Sequence, residues 1–269
     1  MHNFGVFGAV FLSVFYIKTF TLQNARKLIN SIQKKEWGFY MDVTAALNQA
    51  ISDQQRKFLS KVYLQMFTAL VITAAAAYFT ASSQAMMRLI YGSYLAYVFV
   101  VVELVLVITL SAAINKLSPA VALVLFYVYA LVNGVTLSSV FMLYSVRSIT
   151  RVFVASAIMF LAMSAYGMFT KQDLGKYVRF FGMALIGIIG VSVMNIILGS
   201  SLIDWGVSIL GVGLFAGLTA YHTQNLLRVS ADADGSAFYQ KHAIYGSLRL
   251  YLDFINIFIK LLRLFGRRK

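Results

Sequence analysis

Long apolar segments separated by short polar ones run through most of the chain. From residue 62 onward, seven runs of about 20 residues are apolar on every side of a helix, and a helix of that length can cross a bilayer. They cover residues 62–82, 90–113, 120–144, 149–169, 178–199, 205–225 and 246–265. A transmembrane barrel would show shorter segments of alternating polarity. The pattern therefore predicts an all-α integral membrane protein, a bundle of seven transmembrane helices.

The chain before the first run has a different character. Residues 4–17 are apolar, whereas residues 18–61 contain eight lysines and arginines. The opening lacks the basic start and the cleavage site of a signal peptide. We interpret residues 1–40 as a dispensable N-terminal extension and residues 41–269 as the membrane domain. A chain that begins at Met41 is therefore expected to insert and behave like the full chain.

Composition and charge agree with a membrane protein. Of the 269 residues, 60% are hydrophobic and 12% are charged, against about 25% charged in an ordinary soluble domain. The net charge of +14 comes from basic residues that lie mostly between and beyond the apolar runs. There they act as orientation signals, so the expected partner is the lipid bilayer and not nucleic acid. The absence of cysteine excludes thiolate metal sites and cysteine nucleophiles.

Basic connections also predict the orientation. The basic segment 18–61 is expected in the cytoplasm, which places the connection 171–179 inside and the connection 200–204 outside. The basic tail, residues 263–269, favours the cytoplasm as well, but seven crossings cannot leave both ends on one side. Either the last run is re-entrant or strongly tilted, or the tail is an exception to the rule.

Ionisable side chains inside apolar runs are costly and therefore candidates for function. Asp253 lies in the last run, Glu103 in the second, and His222 near the end of the sixth. Arg249 precedes Asp253 by four residues, a spacing that allows an ion pair. Glu103 has no basic residue within one turn, so it needs a partner on another helix or must stay protonated. The structural alternative is that Asp253 pairs with Arg249 or a neighbouring helix, and that His222 is simply hydrogen-bonded.

Other polar and small residues in the runs suggest helix packing. Asn133, Asn195 and Asn256 are expected to form hydrogen bonds between helices. Small residues at packing distance, Gly187 with Gly190 and Gly213 with Gly217, are expected at close helix contacts. 

Motifs of known enzymes do not occur. The chain has no His-Glu-x-x-His, Gly-x-Ser-x-Gly, Walker-type or Gly-x-Gly-x-x-Gly motif. A retinal protein is excluded because Lys260 lies near the helix end and the third run has no carboxylate as counter-ion. Glu103 with Asp253 is only a weak candidate for an aspartyl protease pair. We therefore expect neither an enzyme nor a cofactor or resident metal.

Several segments resemble one family in their order along the chain. The segment 250–258, Leu-Tyr-Leu-Asp-Phe-Ile-Asn-Ile-Phe, and the following 261–266 are similar to the last-helix signature of the Bax inhibitor-1 family. The segment 218–224, Leu-Thr-Ala-Tyr-His-Thr-Gln, resembles its sixth-helix motif. The segments 116–119, 133–139 and 184–188 are similar to its bacterial YbhL-like branch. The resemblance extends over about 41–269.

The resemblance implies a seven-helix fold of the Bax-inhibitor type around a hydrophobic central helix. It also implies a pH-sensitive calcium leak in some members and cytoprotective or protease-modulating roles in others. Two aspartates that share a proton gate the pore in that family. Asp253 matches one of them, but His222 stands where the motif has the other. Glu103 matches the acidic residue of the second helix, and Lys116 loosely matches the basic latch residue after it.

The function expected from these observations is a cation leak channel, with calcium as the ion, in a bacterial inner (plasma) membrane. Protonation of His222 and Asp253 would gate it, with Glu103 in the ion pathway and Arg249 and Lys116 in support. The alternative is a non-conducting regulator that binds a membrane protease or another membrane protein. A proton-coupled transporter would show inverted repeats, and none is evident. If His222 and Asp253 are close, acid would join them as an ion pair, so flux should be greatest at neutral to alkaline pH.

Overall fold

The computed structural model describes residues 53–114, 116–231 and 235–269, so the extension predicted at 1–40 lies outside the described residues. The described part is built from α-helices, which confirms the predicted all-α class. They are α1 (Asp53–Ser82), α2 (Gln84–Tyr91), α3 (Leu95–Ala113), α4 (Pro119–Leu137), α5 (Ser139–Leu143), α6 (Val146–Phe169), α7 (Val178–Leu198), α8 (Ser201–Ser230) and α9 (Ala237–Phe265). A short 3₁₀ helix, Leu174–Tyr177, precedes α7.

Local polar residues set the ends of these helices. Ser118 accepts a hydrogen bond from the Val121 backbone N–H at 3.3 Å, and Pro119 occupies the first turn of α4, where its missing N–H costs nothing. Gly199 ends α7 with φ of +63°, a left-handed conformation that favours glycine. The predicted run 90–113 is broken after Gly92, where the Gly-Ser pair ends α2, so α3 begins only at Leu95.

Six helical segments within the described ranges are long and apolar enough to cross a membrane. They are Gln55–Ser82, Leu95–Ala113, Pro119–Leu143, Val146–Phe169, Leu174–Leu198 and Ser201–Ser230. The seventh predicted run, 246–265, is helical and lies within the 29-residue α9. Charged residues lower the hydropathy of α9, and the predicted count of seven crossings therefore depends on this helix.

Helix α9 is the central element of the bundle. It packs against α8, α1, α6 and α4, while α3 covers α4 and α7 covers α8 on the outside. Its fully buried side chains include Leu248, Leu250, Tyr251 and Ile257. Outer helix α7 has no buried residue, and such an all-round apolar surface is suited to lipid. The central helix that the resemblance implies is thus present, but it also carries a buried Asp253.

Two ion pairs mark the opposite ends of the bundle. At the end of α8, Arg228 lies 2.7 Å from Asp173, and at its start Asp204 lies 2.7 Å from Arg263 of α9. About 36 Å of helix separates the two pairs, at 1.5 Å per residue. We call these ends the Asp173 face, where α8 ends and α9 begins, and the Asp204 face, where α8 begins and α9 ends.

The basic tail lies at the Asp204 face. Its backbone pairs with the connection after α5: Ser145 N–H donates to the Arg267 carbonyl at 3.4 Å, and Lys269 N–H donates to the Leu143 carbonyl at 3.0 Å. Helix α9 therefore reaches from one face of the bundle to the other. Of the two alternatives left by the sequence, this geometry favours a tail that is an exception to the positive-inside rule.

Candidate functional site

His222 of α8 and Asp253 of α9 meet in the interior. Nδ1 of His222 lies 2.6 Å from Oδ2 of Asp253. Asp253 is only 2% exposed, and the His222 side chain is 13% exposed. A carboxylate buried to this degree needs a close hydrogen-bonding partner, and His222 supplies it. The expected pH response requires these two side chains to be close, and they are in direct contact.

Neighbouring side chains fix the rotation of α9 and so aim Asp253 at α8. The ring of Phe254 packs edge-on against Phe153 and Phe160 of α6, with centroids 5.3 and 5.7 Å away. The hydroxyl of Tyr251 lies 2.7 Å from Thr73 Oγ1 of α1. Phe254 and Tyr251, which flank Asp253 along α9, thus contact α6 and α1. Because side chains at successive positions of a helix point in different directions, the carboxyl of Asp253 points toward a third helix, α8.

A cavity of about 200 Å³ lies between this pair and the Asp173 face. It is bounded by the C-terminal half of α8 and the first turns of α9. Its lining residues are His222, Asn225, Leu226, Val229, His242, Tyr245, Gly246 and Arg249. His222 is thus the member of the pair that borders the cavity, whereas Asp253 lies behind it. His222 therefore separates the carboxyl of Asp253 from the cavity.

Arg249 does not pair with Asp253, although the spacing of four residues allows it. Its Nη2 donates to the Tyr245 hydroxyl at 2.6 Å, and its guanidinium lies 4.2 Å from the centre of that ring. Helix side chains point back toward the N-terminus, so Arg249 reaches Tyr245 one turn earlier. The carboxylate of Asp253 is hydrogen-bonded to His222 instead. The structural alternative is therefore wrong in its first form, an Arg249–Asp253 pair, whereas its second form, a partner on a neighbouring helix, matches the contact with His222. Arg249 remains beside the site as a positive charge on the cavity wall.

Glu103 belongs to a separate hydrogen-bonded chain. Its Oε2 accepts from Asn133 of α4 at 3.3 Å, and Asn133 Oδ1 accepts from the Tyr251 hydroxyl of α9 at 3.0 Å. Its Oε1 is enclosed and has no hydrogen-bond partner within the described residues. Glu103 thus has a partner on another helix, as expected, and that partner is the neutral amide of Asn133. No described bond joins Glu103 to His222 or Asp253, and the chain reaches α9 two residues before Asp253.

Lys116 lies away from the carboxylates. It is exposed in the connection between α3 and α4, and its backbone N–H donates to the Ala113 carbonyl at 2.9 Å. The structure brings together His222, Asp253 and Arg249 but not Glu103 or Lys116. Two further residues of the cavity, His242 and Tyr245, are not among the site residues predicted from the sequence. Tyr245 could have been found, because it continues the four-residue spacing of Arg249 and Asp253.

Apolar helices surround a central helix whose buried Asp253 faces a histidine. This arrangement defines a multi-pass membrane protein with an ionisable pair in its interior. The family model described as "Inhibitor of apoptosis-promoting Bax1" matches residues 55–269. The chain belongs to this Bax inhibitor family. The match lies within the predicted domain 41–269, whose boundary at residue 41 stays a prediction.

Bacterial relatives are similar over most of their length. The Escherichia coli K12 protein "Inner membrane protein YbhL" is 43% identical over 215 residues, 79% of this chain and 92% of the relative. An uncharacterized protein of Borreliella burgdorferi is 40% identical over 217 residues, 80% and 94% of the two chains. One of Deinococcus radiodurans is 37% identical over 228 residues, 85% and 98%. These similarities confirm the family and the predicted localisation, an integral multi-pass protein of the inner membrane.

Proposed function

We propose that the protein is a pH-sensitive cation leak, with calcium as the ion, and that the His222–Asp253 pair is its gate. The observation that carries the proposal is the 2.6 Å contact between the two side chains at the inner end of a cavity. A buried ionisable pair with access from one face is costly to keep in a membrane protein unless it has a function. The proposal requires no catalysis and no cofactor.

The charge of the pair changes with pH. When His222 is neutral, its Nδ1–H donates to ionised Asp253, and the pair carries one negative charge. A second proton on the pair would turn His222 into an imidazolium. The pair of imidazolium and carboxylate then has no net charge, and the imidazolium attracts the carboxylate more strongly than a neutral ring does. Acid therefore removes the charge that favours a cation and holds α8 against α9.

Other charged groups around the cavity act in the same direction. His242 and Arg249 of α9 line it together with His222. Arg249 opposes the entry of cations, since its guanidinium carries a fixed positive charge, and His242 is a second titratable side chain of the same lining. Flux is therefore expected to be greatest at neutral to alkaline pH and to fall on acidification.

Calcium prefers oxygen ligands, and a tight site supplies six to eight of them. One carboxylate at the pair supplies far fewer, so binding would be weak and transient. Weak binding suits permeation, because an ion must leave as readily as it enters.

Calcium flux into liposomes that contain purified protein and an enclosed indicator tests the gate between about pH 5.5 and 8.5, the range in which histidine titrates. Wild type should conduct best at the alkaline end. Asp253→Asn should abolish flux at every pH, and His222→Gln should conduct without the acid closure. His222→Asp creates two facing carboxylates and should shift the transition to another pH. Asp204→Asn, which removes a carboxylate outside the pair, is the control with an unchanged profile.

Arg249, the fixed positive charge in the cavity lining, provides a further variant for this experiment. Arg249→Gln should raise flux, because it removes a fixed positive charge without touching the pair. Unchanged flux in Asp253→Asn would contradict the gate, and identical pH profiles for wild type, His222→Gln and His222→Asp would remove His222 from it. No flux above empty liposomes in wild type would instead support a non-conducting regulator of a membrane protease or other membrane protein.

A further inference from the structure

A larger cavity, of about 600 Å³, lies at the Asp204 face between the start of α6 and the end of α9. One wall is basic and polar, formed by Arg147, Arg151, Arg267 and two serines. The rest of the lining, which we call the apolar wall, comes from α6 and α9. The residues of the apolar wall are Val152, Ala155, Leu261 and Phe265.

Within the described ranges, the three arginines of the basic wall have no anionic partner. No aspartate or glutamate lines the cavity, and no salt bridge in the described part of the chain involves Arg147, Arg151 or Arg267. Arg147 and Arg151 lie one turn apart on the same side of α6, where like charges repel. An anion in the cavity would relieve this repulsion and receive hydrogen bonds from several guanidinium groups.

Backbone contacts hold the third arginine in place. The Arg267 N–H donates to Ser148 Oγ at 2.9 Å, and the Ser145 N–H donates to the Arg267 carbonyl at 3.4 Å. The tail is therefore fixed against the start of α6, and the basic wall is assembled from two distant parts of the sequence before any ligand arrives.

We propose that this cavity binds the phosphate of an anionic phospholipid headgroup. The guanidinium groups of the basic wall match phosphate oxygens in charge and geometry, and the apolar wall accepts the first carbons of an acyl chain. The cavity lies at the start of the membrane-spanning helix α6, at the depth where headgroups are found. A free phosphate ion would satisfy the basic wall but leave the apolar wall in contact with water. The observations therefore favour lipid.

Native mass spectrometry of the purified protein measures this binding directly. Phosphatidylglycerol, phosphatidylcholine or inorganic phosphate is added to wild type, to the double variant Arg147→Gln/Arg151→Gln, and to Arg88→Gln/Arg268→Gln. The last pair is the matched control, because both arginines are exposed and outside the cavity. Wild type and control should retain phosphatidylglycerol, and the cavity variant should bind it at least about tenfold more weakly, since charge-assisted hydrogen bonds are lost.

Three outcomes would overturn the proposal: equal retention of phosphatidylglycerol by the cavity variant, equal retention of phosphatidylcholine by wild type, and inorganic phosphate that binds wild type as tightly as the lipid. The single variants Arg147→Gln and Arg151→Gln provide a second measurement if the double variant does not fold. Each should lose part of the lipid affinity, and wild-type affinity in both would also refute the site. The measurement involves no ion flux, so its result is independent of the proposed gate.

Discussion

At the scale of single residues, Asp173 fixes the connection between α6 and α7 to the end of α8. Arg228 donates to its Oδ1 at 2.7 Å, and the Gly175 N–H donates to the same oxygen at 3.0 Å. The hydrogen bond from Arg228 and the bond from Gly175 hold the pKa of the Asp173 carboxyl below its ordinary value. The ionised form is therefore favoured in the folded protein.

This lowered pKa predicts a pH-dependent stability. The contribution of Asp173 is present above the ordinary pKa of the carboxyl and is lost as the pH falls through the lowered value. Asp173→Asn should thus melt slightly below wild type at pH values above about 4, and the difference should disappear in stronger acid. Melting temperatures in detergent from neutral to acid pH measure it. High salt should shrink the difference, because both side chains are substantially exposed. A difference that persists unchanged in acid would contradict the assignment.

At the scale of helices, two glycines outside the expected small-residue pairs allow the backbones of neighbouring helices to come close. A Cβ on Gly167 of α6 would collide with the backbone of Ala220 on α8, and a Cβ on Gly134 of α4 would collide with the backbone of Thr73 on α1. In contrast, Gly187 and Gly190 of α7 face open space. The expectation that this pair lies at a helix contact is wrong, because α7 is an outer helix.

A matched pair of alanine variants tests this assignment. Gly167→Ala should destabilise the protein by about 1–3 kcal/mol, the usual cost of forcing extra volume into a packed interior. It should also disturb the position of α8 two residues before His222. Gly187→Ala should have no such cost, since its Cβ has room and alanine favours helix. Thermal unfolding of both variants in the same detergent provides the comparison. Equal stability of the two would show that α6 and α8 are not closely packed at Gly167.

At the scale of the whole molecule, the path of α9 determines the number of crossings. Its end is tied to the start of α8 through Arg263 and Asp204, whereas its beginning follows the end of α8 by a short connection. The two helices are antiparallel over their length. We therefore expect seven crossings, with the tail on the side opposite to the connection that contains Lys171.

Cysteine labelling checks this topology without background, because the natural chain has no cysteine. Lys171→Cys and Arg268→Cys should react with a membrane-impermeant maleimide from opposite sides, and the positive-inside rule predicts that Lys171→Cys is cytoplasmic. Both should react after the membrane is permeabilised. Reaction of both cysteines from the same side would show that α9 does not cross.

The amino-acid sequence by itself determined the class of protein. Runs of about 20 apolar residues and the rarity of charge within them are properties of local composition. A helix of that length matches the thickness of the bilayer, so the runs predict transmembrane helices directly. The same physics singled out Asp253, Glu103 and His222, because an ionisable group in lipid is costly wherever its partners lie. The resemblance of short ordered segments then predicted the family.

Only the tertiary structure decided which of these side chains meet. Spacing allowed Asp253 to pair with Arg249, but His222 from another helix occupies the carboxylate. Of the three asparagines expected between helices, Asn133 bridges α3 and α9, whereas Asn195 accepts from the Ser200 N–H and Asn256 donates to a carbonyl of its own helix. Spacing along one helix defines only the partners that are possible. The partner that is chosen depends on the neighbouring helices, since a buried polar group takes whichever hydrogen bond the assembled bundle brings within reach.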